Sequence, residues 1–127
     1  MPAPKPFAYA IIRVVPRVER GERLNAGVVL YSRQHRFLAA RTGLDPTRLR
    51  AIAPDLDPGS VRAHLEAIER IAAGDPAAGP IAALDASERF GWIVAPSSTM
   101  IQPSRVHTGL TDDPGATLEK LYRELVA

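Results

Sequence analysis

The sequence predicts an α+β fold, and three observations predict it. Residues 7–41 hold three apolar, β-branched runs joined by short polar turns. Downstream, Asp-Pro opens three amphipathic stretches, at Asp45-Pro46, Asp57-Pro58 and Asp113-Pro114. At 127 residues, 46% hydrophobic and 24% charged, the chain is long enough for one domain with its own core. The architecture expected is an N-terminal three-stranded antiparallel meander with helices packed on one face. A short C-terminal extended segment and a final helix complete it.

Each element has a local cause. Residues 7–15 (FAYAIIRVV) are apolar at nearly every position, the pattern of a central strand covered on both faces. Residues 17–23 are polar around Gly21, which suits a hairpin connection. Residues 24–32 (LNAGVVLYS) form a second strand, where Gly27 signals a bulge or a close backbone approach. Residues 33–36 make a tight turn and residues 37–41 (FLAAR) a third strand. Asp45 caps a short helix that ends before Pro54, and Asp57 caps a longer one that stops at Gly74. Val61, Leu65, Ile68 and Ala72 make one stripe on that longer helix. Residues 75–83 read as a loop. Asp85 and Glu88 form a capping box for a helix over 87–94 that turns Phe90 and Trp92 inward. Residues 99–102 and 105–108 are extended around Pro103. The last helix buries Leu118, Leu121, Tyr122 and Leu125.

Composition excludes several functions. With no cysteine, the chain has no disulfide, thiolate zinc site, Fe–S cluster or cysteine nucleophile. No apolar run approaches a membrane-spanning helix. The opening residues 1–6 (MPAPKP) read as a flexible Pro-rich lead rather than a secretory signal, so a cytoplasmic location is expected. G-x-S-x-G, P-loop, G-x-G-x-x-G and H-E-x-x-H patterns are absent, and His35, His64 and His107 lack ligand spacing. Neither a metal nor a cofactor is expected.

Charge is distributed unevenly. Residues 1–50 carry ten Lys/Arg against three Asp/Glu, a net of +7, while the remaining 77 residues carry a net of −5, giving +2 for the chain. Such asymmetry either recruits an anionic partner or neutralises itself across the fold.

Three constellations bear chemistry. Residues 96–109 gather Ser98, Gln102, Ser104, Arg105, His107 and Thr108 beside two prolines. They read either as a rigid platform for an anion or peptide, anchored by Arg105, or as a loop whose hydroxyls bond their own backbone. In the second, Arg20 and Glu22 grip a partner while Asn25 fixes the loop, or they form local ion pairs of little energy. In the third, alternation aligns Tyr9 with Arg13 and Phe37 with Arg41, the pairing of rings and guanidiniums that stacks single-stranded RNA. Aromatic residues at alternating strand positions are equally the makings of a core.

Together these residues resemble a known family. YAIIRVVPRVERGE at 9–22, Asn25-x-Gly27 with VVLY at 28–31, SERF-x-W at 87–92 and IQPS-x-VHTG at 101–109 are similar, in order, to the bacterial domain of unknown function 3037 family. The likeness runs over roughly positions 8–126. Leu24 stands where an aromatic is expected and Gly91 where a larger residue is expected, departures that touch packing rather than the polar motifs. The resemblance assigns no catalytic residue. It implies small stand-alone proteins, often encoded beside HipA-like kinases, and so suggests a partner or regulator.

The function expected is therefore a non-enzymatic interaction module that binds a protein partner such as a HipA-like kinase. Arg20, Glu22, Asn25, Gln102, Ser104, Arg105, His107 and Thr108 are its contact residues. One alternative is a nucleic-acid binder using Tyr9, Arg13, Phe37 and Arg41. The other is a small hydrolase with His107 as general base near Ser98, Ser104 or Asp112.

Overall fold

The computed structural model describes residues 3–96 and 99–127. Three antiparallel strands form the meander: β1 (Lys5–Val14), β2 (Leu24–Ser32) and β3 (Phe37–Thr42). Four helices follow in chain order: α1 (Pro46–Ile52), α2 (Pro58–Ala73), α3 (Ala86–Ile93) and α4 (Pro114–Leu125). Between α3 and α4, β4 (Ile101–Pro103) and β5 (His107–Thr111) both pair antiparallel with the free edge of β1. The strand order is β3-β2-β1, with β4 and β5 end to end beyond β1.

The expected central strand is central. Ala10, Ile12 and Val14 of β1 pack on one side against Val29, Leu49, Val61, Leu65, Phe90 and Ile93, drawn from β2 and α1–α3. On the other side, Val28 and Leu30 meet Leu118, Leu121, Tyr122 and Leu125 of α4, with Phe7, Tyr9 and Phe37 around them. Thus α1–α3 share one face, and the final helix covers the other. A strand apolar at successive positions needs this, because each side chain parity must have its own cover.

Local chemistry explains the boundaries. Asp45, Asp57 and Asp113 each cap a helix with Pro at its first position, accepting backbone N–H groups that would otherwise be unpaired. A fourth Asp-Pro, at Asp75-Pro76, starts a 3-10 turn inside the stretch expected as a plain loop. Gly74 ends α2 at φ 73°. The register of β1 against β2 slips between Ile12 and Arg13, opposite Gly27. A Cβ there would lie 2.9 Å from Thr42 Cγ2 and 3.0 Å from the Arg41 carbonyl, so the expected close approach is real.

Two expectations need correction. Phe90 turns inward from α3, but Trp92 is 51% exposed and Ile93 is buried instead. At 100° per residue, Ile93 falls on the face of Phe90 three residues earlier, whereas Trp92 points away. The Pro-rich lead is also shorter than expected, because Lys5 and Pro6 already belong to β1 and pair with Thr111 and Leu110. The missing N–H of Pro6 lies beyond the β2 ladder, and its carbonyl accepts from the Ser32 hydroxyl (2.8 Å). Among the described residues, no helix is long and apolar enough to cross a membrane.

Candidate functional site

The polar residues singled out in the sequence divide between two ends of the sheet. At the hairpin end, Arg13 of β1 stands in register with Asn25 on one side and Gln102 of β4 on the other, so the three form one polar row. The Arg13 Nε is buried and has no hydrogen-bond partner. Burial first, and the charge of Arg23 second, hold the Arg13 guanidinium below its ordinary value. Among the described residues neither Arg13 nor Arg23 forms an ion pair. Two guanidiniums close enough to disfavour each other, with no carboxylate paired to either, are a local excess of positive charge.

The connection that carries Arg23 is shaped by its own turn. Gly21 adopts φ 70°, and its N–H donates to the carbonyls of Arg17 and Val18. Arg17 pairs with Glu19 (3.0 Å) and Arg20 with Glu22, all largely exposed except the half-buried Glu22. Such pairs are worth under about 1 kcal/mol each. They nevertheless set one wall of a cavity of about 530 Å³, whose other wall is residues 51–56, the end of α1 and its link to α2. Asn25 does not fix this loop. Its Nδ2 donates to the Leu125 carbonyl (3.0 Å) and ties β2 to the last turn of α4.

The 96–109 stretch does not form one platform. Gln102 Nε2 donates to the Thr99 carbonyl (2.8 Å). Ser104 is buried where β4 and β5 are interrupted: its hydroxyl oxygen accepts the Ile11 N–H (2.8 Å), and its own proton goes to the Arg105 carbonyl (2.9 Å). It thus replaces a strand carbonyl at the break. His107 stacks on Tyr9 (centroids 5.2 Å apart), and Tyr9 on Phe7 (6.1 Å), giving a ladder of rings on the α4 side of the sheet. Thr108, one residue on, points to the opposite face and is exposed. Arg105 is exposed in the connection. Ser98 lies outside the described residues.

The open sheet required for base stacking is largely covered. Phe37 packs into the cluster under α4, and Arg41 lies 4.8 Å over the Tyr122 ring of that helix, with Glu119 3.9 Å away. Sequence alternation aligned these residues correctly, but it carried no sign that α4 lies on the same face. It also passed over a second cavity of about 530 Å³, between α2, α3 and β4, lined by Ile12, Ile68, Ile71, Trp92, Met100 and Ile101. The sequence carries no signal for it, because Trp92 reads there as an inward residue.

A family model described as "Protein of unknown function (DUF3037)" matches residues 9–126. The chain belongs to this family. The match takes in the hairpin, the interrupted β4–β5 edge and α4 together, so the polar row and the ring ladder lie within the family's span. Neither the curated proteins nor the solved structures give a match.

Proposed function

We propose that this member of the DUF3037 family is a non-enzymatic interaction module. It binds a protein partner through the hairpin end of the sheet, and Arg13 and Arg23 receive an acidic segment of that partner. The observation that carries the reading is the buried, unpartnered Arg13 Nε beside a second unpaired arginine. A carboxylate set between them gains charge-assisted hydrogen bonds and removes their mutual repulsion. Gln102, in register with Arg13, extends the row with an amide. The exposed hairpin around Arg20 and Glu22 supplies a rim whose side chains are already oriented by their own ion pairs. A HipA-like kinase is the partner that the family's genomic neighbourhood suggests.

The test uses the tagged chain, purified from its own host after nuclease treatment. Wild type, Arg23→Glu and the control Arg33→Glu in the β2–β3 turn are compared. The wild type and the control should retain a stoichiometric protein. Arg23→Glu should lose at least about tenfold in binding, a cost on the scale of one charge-assisted contact, with unchanged Tm. Equal capture by all three, or no captured protein, overturns the reading. Recovery of nucleic acid alone, with affinity falling log-linearly with salt, would transfer the arginines to a phosphate-binding role.

A further inference from the structure

At the opposite end of β1, the outer edge of β5 carries a different kind of information. The Ile11 N–H and carbonyl both point toward the β4–β5 side, where they meet Ser104. In an antiparallel strand the directions alternate, so Lys5, Phe7 and Tyr9 also point there and exchange hydrogen bonds with their partners Thr111, Gly109 and His107. The peptide groups of Thr108 and Leu110 therefore face away from β1. Among the described residues no strand lies beyond them.

This edge lacks the usual protection. Residues 106–111 (VHTGLT) contain no Lys, Arg, Asp or Glu, and Val106 and Leu110 are 41% and 69% exposed. Edge strands are ordinarily blunted by charge, proline or a covering element. The pattern is also self-complementary. An antiparallel pairing of two copies about Thr108 sets Thr108 opposite Thr108 and Val106 of one chain opposite Leu110 of the other. In that register the outward peptide groups of one strand meet the outward groups of its partner, and the two exposed apolar side chains pair on one face.

We propose that the chain forms a two-fold dimer through β5, pairing edge to edge and antiparallel about Thr108 to make one continuous sheet across both copies. A twofold axis satisfies every contact twice with one surface, which is the commonest way for identical chains to associate. The occupant is a second copy rather than an unrelated strand because register and apolar pairing are both met by residues 106–110 of the chain itself.

Sedimentation equilibrium of the full chain should give twice the 13.7 kDa monomer mass. Leu110→Lys should return it to the monomer mass with an unchanged circular dichroism spectrum, because Leu110 is a solvent-exposed side chain on an edge. Thr108→Cys introduces the only thiol in the chain, and the proposed register holds the paired Cα atoms about 5.5 Å apart, within disulfide range. It should oxidise to a covalent dimer, whereas Val18→Cys on the exposed hairpin should not. A wild-type monomer at every soluble concentration overturns the proposal. So does a dimer that survives Leu110→Lys, or one in which the two thiol variants cross-link equally. Capture of a different chain that Leu110→Lys displaces from a monomeric wild type would show that the edge serves a heterologous strand, and that also overturns it.

Discussion

At the β3 edge of the sheet, the backbone N–H of Thr42 donates to Glu69 Oε1 (2.8 Å), the Thr42 hydroxyl bonds the same oxygen, and α2 lies along the strand. Arg41 of the same strand spreads over Tyr122 and reaches Glu119. At the β5 edge there is no such carboxylate and no covering helix among the described residues, and the exposed side chains, a valine, a threonine and a leucine, carry no charge. One sheet thus terminates one side against pairing and presents the other. A helix face can supply the first kind of ending because a single long acidic side chain reaches back to an outward N–H. The second kind has a use only if something pairs with it.

The largest expected effect comes from removing the device that holds the β5 edge in place. Ser104→Ala leaves the buried Ile11 N–H without an acceptor, which costs about 1–3 kcal/mol. Thermal unfolding should show a Tm lowered by roughly 4 °C per kcal/mol lost. Amide exchange should accelerate first in 107–111. An unchanged Tm would mean that water replaces the hydroxyl and that the break between β4 and β5 is not held by Ser104.

A smaller effect follows at the closed edge. Glu69→Gln keeps an acceptor for Thr42 but removes its charge, costing about 1 kcal/mol. Glu69→Ala removes the acceptor altogether. If the edges differ for the reason given, amide exchange at Thr42 should rise more in Glu69→Ala than in Glu69→Gln, with the β5 amides unaffected. Equal exchange in both variants would show that α2 closes this edge by packing alone.

The smallest effect on stability is a pH dependence confined to α3, which supplies no side chain to the closing of either edge. The N–H groups of Glu88 and Ser87, together with the Glu88 side chain, hold the Asp85 carboxyl below its usual range, while Glu88 is raised by sharing that site. A depressed carboxylate contributes its stability above its unfolded value and loses it as pH falls through the folded value. In acid, Trp92 fluorescence should therefore report fraying of α3, and Asp85→Asn should abolish that acid limb. An acid limb that persists in Asp85→Asn would place its origin elsewhere.

The sequence was most legible where structure is local. The spans of β2, α1 and α2 follow from alternation, from the Asp-Pro caps at Asp45 and Asp57 and from the stop at Gly74, all of which act within a few residues. What it did not carry was the placement of distant segments. The bond from Asn25 to Leu125 spans 100 positions, and that from Ile11 to Ser104 spans 93. The sequence therefore reads Asn25 and Ser104 as contact residues, whereas each is committed to the backbone of a remote element. Arg13 and Gln102 stand 89 positions apart in the chain, and only the β1–β4 register brings them side by side. The self-complementarity of residues 106–111 was present in the letters, yet it acquires meaning only once the outward direction of Thr108 is known.

Those long spans also order events during synthesis. The β1–β2–β3 meander joins segments close in the chain, so it can form as soon as residue 42 has emerged and while translation continues. Until residues 101–126 have been made, however, β1 has an unpaired edge along its whole length, and Val28, Leu30 and Phe37 have no α4 to cover them. The nascent protein therefore passes through a stage with a bare edge and a bare face at once. At the translation rate of about 5–20 residues per second, that stage lasts several seconds. Chaperone dependence should concentrate in that interval, and a ribosome stalled beyond residue 42 and short of residue 101 should display it.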